Sequence, residues 1–312
     1  MRVSMRYLPL GAPGWPDQSL TGRALAEIAQ AAEAAGFDGL QHPEHPFPPD
    51  AWLQEDGHHD LDQVVALSMA AASTTRIAVE AVLLIAAYRN PFLAAKSFAT
   101  LDHLSQGRVV VGIGTGYLDG EFRALGAAFD ERNELTDEAI VAMRRAWTED
   151  AMTMSGRRFE VDGHTMGPRP HRAGGPPIWI GGNSRRAIRR AVELGDGWMP
   201  MPSPAHGISR RTASLSSIAD LRRAIDYLRE RCDLAGRTDP LGVAFTLGRA
   251  PRGAEELRAS CRTAVDLAAV GVTRTSVGIT AADSYAEYLR GIELQGAELV
   301  PALHAIDVGG RP

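Results

Sequence analysis

Lysine is nearly missing from this chain. Lys96 is its only example, and arginine supplies the rest of the 33 basic residues. That bias belongs to a GC-rich coding sequence and carries no function. Cysteine is scarce too: Cys232 and Cys261 lie in helical patterns, far apart and without metal-ligand spacing. They make no disulfide framework, and the expectation is a reduced protein of the cytoplasm. No apolar run approaches the length of a membrane span, and MRVSMRYLPL is too short and too interrupted for a signal peptide. An excess of positive charge is also absent: 33 basic residues face 38 acidic ones, a formal charge of -5. A nucleic-acid or anionic-membrane surface is therefore not expected. There is no HExxH or CxxC element, so no metal site is expected. There is no repeat of fixed short period.

What the 312 residues do contain is an alternation of short apolar runs and amphipathic stretches. Strands are expected over Val3–Leu8, Asp38–His42, Arg76–Ile85, Arg108–Ile113, Pro177–Ile180, Gly197–Met201, Leu241–Leu247 and Thr273–Ile279. Helices follow them: Leu20–Ala35 closed by Gly36, a helix capped by Asp60 or Asp62 and running to Ser73, one opened by Pro91, then Ser184–Leu194, Ile218–Leu234, Ala254–Ala269 and Tyr285–Leu303. Eight strands each followed by a helix give the order of a (β/α)8 barrel in a single domain over residues 1–312. An open doubly wound sheet is the other architecture that fits. Leu118–Gly175 interrupts the alternation and reads as an insertion after strand four with both ends on one face of the core. It holds a short helix near Glu121–Leu125, a longer one capped by Thr136 and ending near Trp147, and a hairpin around Ser155-Gly156. Pro202–Ser217 has no apolar period and reads as a mobile loop at the ligand face.

Chemistry-bearing residues collect at the strand exits, where parallel α/β proteins bind ligands. In TLDHLSQGRVVVGIGTGY, Gly114, Thr115 and Gly116 remove bulk at the end of strand four. The stretch is not a dinucleotide fingerprint, because the GxGxxG register is broken. Gly181-Gly182-Asn183-Ser184 leaves a buried strand and opens a helix. Two glycines and an Asn or Ser cap suit a phosphate at a helix N-terminus; a capped helix with Arg185, Arg186, Arg189 and Arg190 as a solvated basic face is the plainer alternative. His45 stands at the exit of strand two after Glu44, between Pro43 and Pro46. A histidine there is placed to move a proton near neutral pH; the alternative is a hydrogen-bonded structural residue. Glu80 interrupts an apolar strand and needs a partner, either an arginine inside the barrel or the site itself.

TLDHLSQGRVVVGIGTGY, EFRALGAAFDER, TDEAIVAMRRAWTED and PPIWIGGNSRRAIRRAVELGDGW occur in the order seen in the luciferase-like superfamily, from about Gly36 to Trp198. The chain most resembles the branch of F420-dependent oxidoreductases common in actinobacteria. The resemblance implies a TIM barrel with an insertion after strand 4 at the C-terminal mouth. It also implies a deazaflavin or flavin in that mouth, its phosphate near the exit of strand five. On it, Gly181, Gly182, Asn183 and Ser184 match the segment approaching the phosphate. Thr115 and Gly116 match the strand-four border of the cofactor. Ala81, Val82 and Leu83 match a bulge beneath the ring, often with a non-proline cis peptide. His45 matches a catalytic histidine, and Glu44 the acid before it, which would orient it. Glu80, Ala81 and Val82 stand where relatives often carry glycine or threonine, and Tyr117 replaces a more usual tryptophan. The implied function is hydride transfer between the C5 of coenzyme F420 and a small organic substrate. An FMN-dependent two-component monooxygenase fed by a flavin reductase is the second reading, and a cofactor-binding protein without turnover the third. Relatives are often homodimers, and the apolar faces of Val64–Ala72 and Pro91–Leu104 suit such packing.

Overall fold

A computed structural model describes residues 1–7, 21–55, 57–203, 213–279 and 284–309. From the N-terminus the elements are β1 (Arg2–Arg6), α1 (Gly22–Ala34), β2 (Gly39–His42), α2 (Asp50–Glu55), α3 (Gln63–Ser73), β3 (Ala78–Ile85), α4 (Pro91–Leu104) and β4 (Val109–Gly114). Then come α5 (Asp119–Ala124), α6 (Arg132–Thr148), the hairpin β5 (Met152–Gly156) and β6 (Phe159–His164), β7 (Ile178–Gly181), α7 (Arg185–Leu194) and β8 (Gly197–Met199). The chain ends with α8 (Ile218–Leu234), β9 (Gly242–Arg249), α9 (Ala254–Val270), β10 (Arg274–Gly278) and α10 (Tyr285–His304). Eight parallel strands close into a barrel in the order β1-β2-β3-β4-β7-β8-β9-β10, β10 pairing back onto β1. This is the (β/α)8 barrel expected, and the open sheet is excluded.

The helices start where short oxygen-bearing side chains accept an orphan amide. Asp62 accepts the N–H of Val65 at 2.9 Å, Asn90 that of Phe92 at 2.9 Å, and Ser184 that of Ala187 at 3.1 Å. Thr136 does not do this for α6. The helix starts a turn earlier, at Arg132, and the Thr136 hydroxyl donates back to the Arg132 carbonyl at 2.7 Å. The hairpin turns at Arg157-Arg158, two residues beyond the expected Ser155-Gly156.

The segment between β4 and β7 is the insertion, and it does two jobs. Its first part, with α5, stands at the mouth, while α6 packs between α4 and α7 and completes the helical ring. Leu118 follows the C-terminal end of β4 and Gly175 precedes the start of the parallel strand β7. The two ends therefore lie at opposite ends of the barrel, not on one face, because α6 serves as the crossover that a parallel pair requires.

The wall buries Val3, Met5, Val79, Val109, Val111, Ile178, Ile180 and Val277 against the helices. The lumen is different. Glu80 lies inside it, fully buried, accepting from Ser4 Oγ at 3.1 Å and Gln41 Nε2 at 2.9 Å, with the Arg274 guanidinium 4.0 Å away. Arg274 in turn lies over the Trp179 ring, 4.9 Å from its centre. Gly39 has no side chain because a Cβ there would collide with the Glu80 carboxylate. So Glu80 is the internal partner of an arginine, one of the two placements its sequence context allowed. Burial pushes its pKa up against the pull of Arg274 and its hydrogen-bond donors.

Candidate active site at the barrel mouth

The floor of the mouth is made by β3. Its register with β4 slips between Ala81 and Leu84, and the Val82–Leu83 peptide inside the slip is cis. The bulge thus falls on the expected residues. Ala81 is buried, while Val82 and Leu83 are half-buried and reach the lumen. The bulge explains the glycines around it: a Cβ on Gly112 would stand 2.6 Å from the Ala81 carbonyl oxygen and 2.9 Å from Leu83 Cδ2, one on Gly114 3.0 Å from Leu83 Cδ1, and one on Gly181 would overlap Leu83. The bulk missing from the exits of β4 and β7 is filled by this leucine. Gly116 is glycine for another reason, since its φ is +72° and a Cβ would strike Phe122. Thr115 beside it is half-buried at the same rim.

His45, beyond the exit of β2, sits in a shell of rings. Trp52 of α2 packs on it at 4.4 Å between centres, with His58 at 5.3 Å and Tyr117 at 5.9 Å. Its Nδ1 lies 3.3 Å from Glu121 Oε2, and its Nε2 lies 3.4 Å from the Tyr117 hydroxyl. Glu121 is a buried carboxylate at the start of α5, and it also accepts the Phe47 amide at 3.0 Å and the Tyr88 hydroxyl at 2.8 Å. Burial opposes its ionisation, but the donors from His45, Phe47 and Tyr88 outweigh that and hold its pKa below the usual value. An ionised Glu121 requires a proton on Nδ1, which leaves Nε2 as the exchangeable atom facing Tyr117 and the mouth. Burial raises the Tyr117 phenol to about 12, so it stays protonated near neutral pH.

Glu44 does not orient His45. Its carboxylate turns away, accepting the Ile85 amide at 2.7 Å and pairing with Arg89, and it ties the exit of β2 to the end of β3. The acid adjacent in sequence is a brace, and the acid 76 positions away is the partner of the histidine. His42 is structural, as read: it stacks on Tyr7 at 5.2 Å, and its Nδ1 is 2.9 Å from the Pro43 carbonyl.

The β7–α7 turn is a second feature of the mouth. Gly182 has a φ of +109°, and Ser184 caps the helix. The amides of Arg185 and Arg186 precede the first intrahelical bond, from Ile188 N–H to the Ser184 carbonyl. Asn183 is otherwise engaged. Its Nδ2 donates to the carbonyls of Met201 at 2.8 Å and Ala213 at 3.0 Å, and its Oδ1 accepts the Met201 amide at 2.9 Å. It clamps the two ends of the segment expected to be mobile, whose centre, 204–212, lies outside the described residues. The arginines divide: Arg185 is exposed and Arg186 and Arg189 half-buried, as a solvated basic face requires, while Arg190 is buried, and the set is tied to its neighbours. Arg186 pairs with Glu134 and Asp137 of α6, the buried Arg190 with Asp137 and Asn133, and Arg185 lies over the Tyr227 ring. Where sequence placed no metal, the fold brings His45, His58 and Asp60 together.

The profile of the luciferase-like monooxygenases matches residues 5–256. The chain is 32% identical over 197 residues to an FMNH2-dependent dimethylsulfone monooxygenase of Pseudomonas fluorescens (strain Pf0-1), covering 62% of this chain and 52% of that one. It is 30% identical over 236 residues to an F420-dependent glucose-6-phosphate dehydrogenase of Kineococcus radiotolerans, covering 74% of this chain and 64% of the relative. These matches thus span between half and two thirds of the relatives' lengths. An F420-dependent secondary alcohol dehydrogenase, solved with an F420–acetone adduct, shares the fold with a TM-score of 0.74 at 18% identity, over 97% of this chain and 98% of that one.

Proposed function

Because the chain belongs to the luciferase-like monooxygenase family, we propose that it is an oxidoreductase that works with coenzyme F420 on a small organic substrate. The observation that carries this reading is the buried Glu121 behind His45, which prepares one ring nitrogen to hold or release a proton at the mouth. A reduced deazaflavin supplies a hydride from its ring carbon C5, whereas a reduced flavin delivers electrons to oxygen. The residues present suit such a group. Leu83 and Val82 are the floor on which its ring would rest, Trp52 and Tyr117 wall off water, and Thr115 and Gly116 form the rim. The turn Gly181 to Ser184 offers helix amides to a phosphate. In this reading Nε2 of His45 exchanges the proton that accompanies hydride transfer, Tyr117 holds that atom in line, and Glu121 balances the charge of the imidazolium. Substrate choice falls to the segment after Met201 and to the insertion. Two free cysteines, Cys232 and Cys261, accord with a cytoplasmic location.

A reduced-FMN monooxygenase served by a flavin reductase is the second reading, favoured by the similarity to the dimethylsulfone enzymes. A fluorescence titration of the cofactor-free protein with F420 and, in parallel, FMN at equal ionic strength separates the two. Preference for F420 by tenfold or more, with loss of F420-linked turnover in His45→Ala, is the expected result. Preference for FMN with oxygen consumption would replace the first reading by the second, and cofactor binding without any turnover that depends on His45 would leave a carrier protein.

A further inference from the structure

We propose that His45, His58 and Asp60 form a binding site for one divalent transition-metal ion at the rim of the mouth. A nitrogen of each histidine and a carboxylate oxygen of Asp60 all lie within 4.8 Å of one another. The Asp60 side chain is 1% exposed, yet among the described residues neither oxygen accepts a hydrogen bond. His58 Nδ1 is 3.2 Å from Asp60 Oδ1 but out of hydrogen-bond alignment, and it too lacks a hydrogen-bond partner. A buried carboxylate without donors is costly, and a cation is the usual remedy. Two ligand atoms on a tetrahedral ion with bonds of about 2.0–2.1 Å stand roughly 3.3 Å apart, close to the spacing of this pair.

The surroundings complete the arrangement. Glu121 accepts from His45 Nδ1, the carboxylate–histidine pairing that orients an imidazole for metal binding through its other nitrogen. Trp52 covers both rings, at 4.4 Å from His45 and 5.3 Å from His58. Two imidazoles and one carboxylate select Zn2+ or a neighbouring divalent transition ion over Mg2+ and Ca2+, which take oxygen ligands. Asp60 and Glu121 together match its charge. Three protein ligands leave a position open to water or a small anion. A metal there occupies the His45 lone pair, so metal binding and proton exchange at His45 exclude one another; that consequence alone rests on the function proposed above.

The test is calorimetric titration of chelator-stripped, cofactor-free protein with zinc chloride alone. One equivalent is expected to bind, with at least tenfold weaker binding in His58→Ala and in the near-isosteric Asp60→Asn, and wild-type binding in His59→Ala. Cobalt(II) titration of the wild type is expected to give a visible absorption band of low-symmetry N/O coordination at the same stoichiometry. Substoichiometric zinc binding, absence of the cobalt band, or full affinity in both variants would overturn the proposal. Neither titration contains F420 or FMN, so failure here is distinct from failure of the cofactor assignment.

Discussion

Glu121 and His45 are joined across the mouth, Oε2 to Nδ1 at 3.3 Å, although α5 and the exit of β2 belong to different parts of the chain. The carboxylate accepts from three donors, one of which is the histidine. Replacing it with glutamine keeps the volume and one acceptor but removes the charge that balances an imidazolium. Glu121→Gln should lower kcat by about 10–100-fold, within the usual span for a group supporting acid–base catalysis. The cofactor Kd should move less than twofold, because nothing at the Gly181 to Ser184 turn changes. Stopped-flow turnover beside a binding titration checks both. Equal losses in binding and turnover would make Glu121 a structural prop.

The fit of Leu83 against Gly181 predicts a coupled pair. A methyl at position 181 overlaps Leu83 Cδ1 and must push the side chain upward into the mouth. Overpacking of this kind costs about 1–3 kcal/mol. Gly181→Ala should therefore lower the unfolding midpoint and weaken cofactor binding together. Leu83→Ala on top of it should restore both in part. A double-mutant cycle in urea reads the coupling, and strictly additive effects would show that the two positions do not compete for one space.

Much of this barrel was legible from period and punctuation. Valine-rich runs such as Val109–Val111 mark strands, and Asp62, Pro91 and Ser184 mark helix starts within a residue or two. Where an asparagine and a serine both fit, as before α7, sequence leaves the choice open, and Ser184 takes the cap while Asn183 bonds Met201 and Ala213. The site was half legible. His45 is visible from its place at a strand exit, but sequence points to Glu44, its neighbour, as its partner. Glu44 and His45 lie in the loop beyond β2, where their side chains part, and Glu44 reaches Arg89 and Ile85 instead. Glu121 carried a weak signal, an acid opening a short helix inside the insertion, and only the closure of the fold shows what it faces. The glycines of GIGTG remove bulk that would suit a ligand, and the space is taken by Ala81, Leu83, Ile85 and Phe122, a long-range fact with no local trace.

Glu80 gives a pH signature. Its pKa is raised by burial in the barrel lumen, so the folded protein binds a proton there more tightly than the unfolded chain. The stability linked to that proton is complete below the ordinary carboxylate value of about 4.3 and is lost as pH rises through the folded value. Glu80→Gln lacks this loss, although its amide leaves Arg274 without a counter-charge. The difference in unfolding free energy, variant minus wild type, should therefore grow in favour of the variant as pH rises from about 4.3 and then level off. Urea midpoints from pH 4 to pH 8 measure it. Parallel profiles would mean that Glu80 titrates alike in both states and that Arg274 compensates it fully.

The outer faces of α3 and α4 carry apolar side chains that the barrel does not use. Val65 and Leu93 are 64% and 68% exposed, with Met69 and Leu104 beside them on the same two neighbouring helices. Val65 and Met69 are one turn apart on α3, and Leu93 and Leu104 are three turns apart on α4, so each pair lies on one stripe. Exposed apolar side chains on two adjacent helices, interspersed with Ser68, Lys96, Ser97 and Thr100, are the surface this face offers to a two-fold dimer. The wild type should run as a dimer by light scattering coupled to size exclusion at micromolar concentration. Val65→Glu with Leu93→Glu should shift it to monomer while leaving the circular dichroism spectrum unchanged, because both side chains already face solvent in the single chain. A wild type that is monomeric at that concentration would refute the dimer, and a double variant that stays dimeric would move the interface to another face.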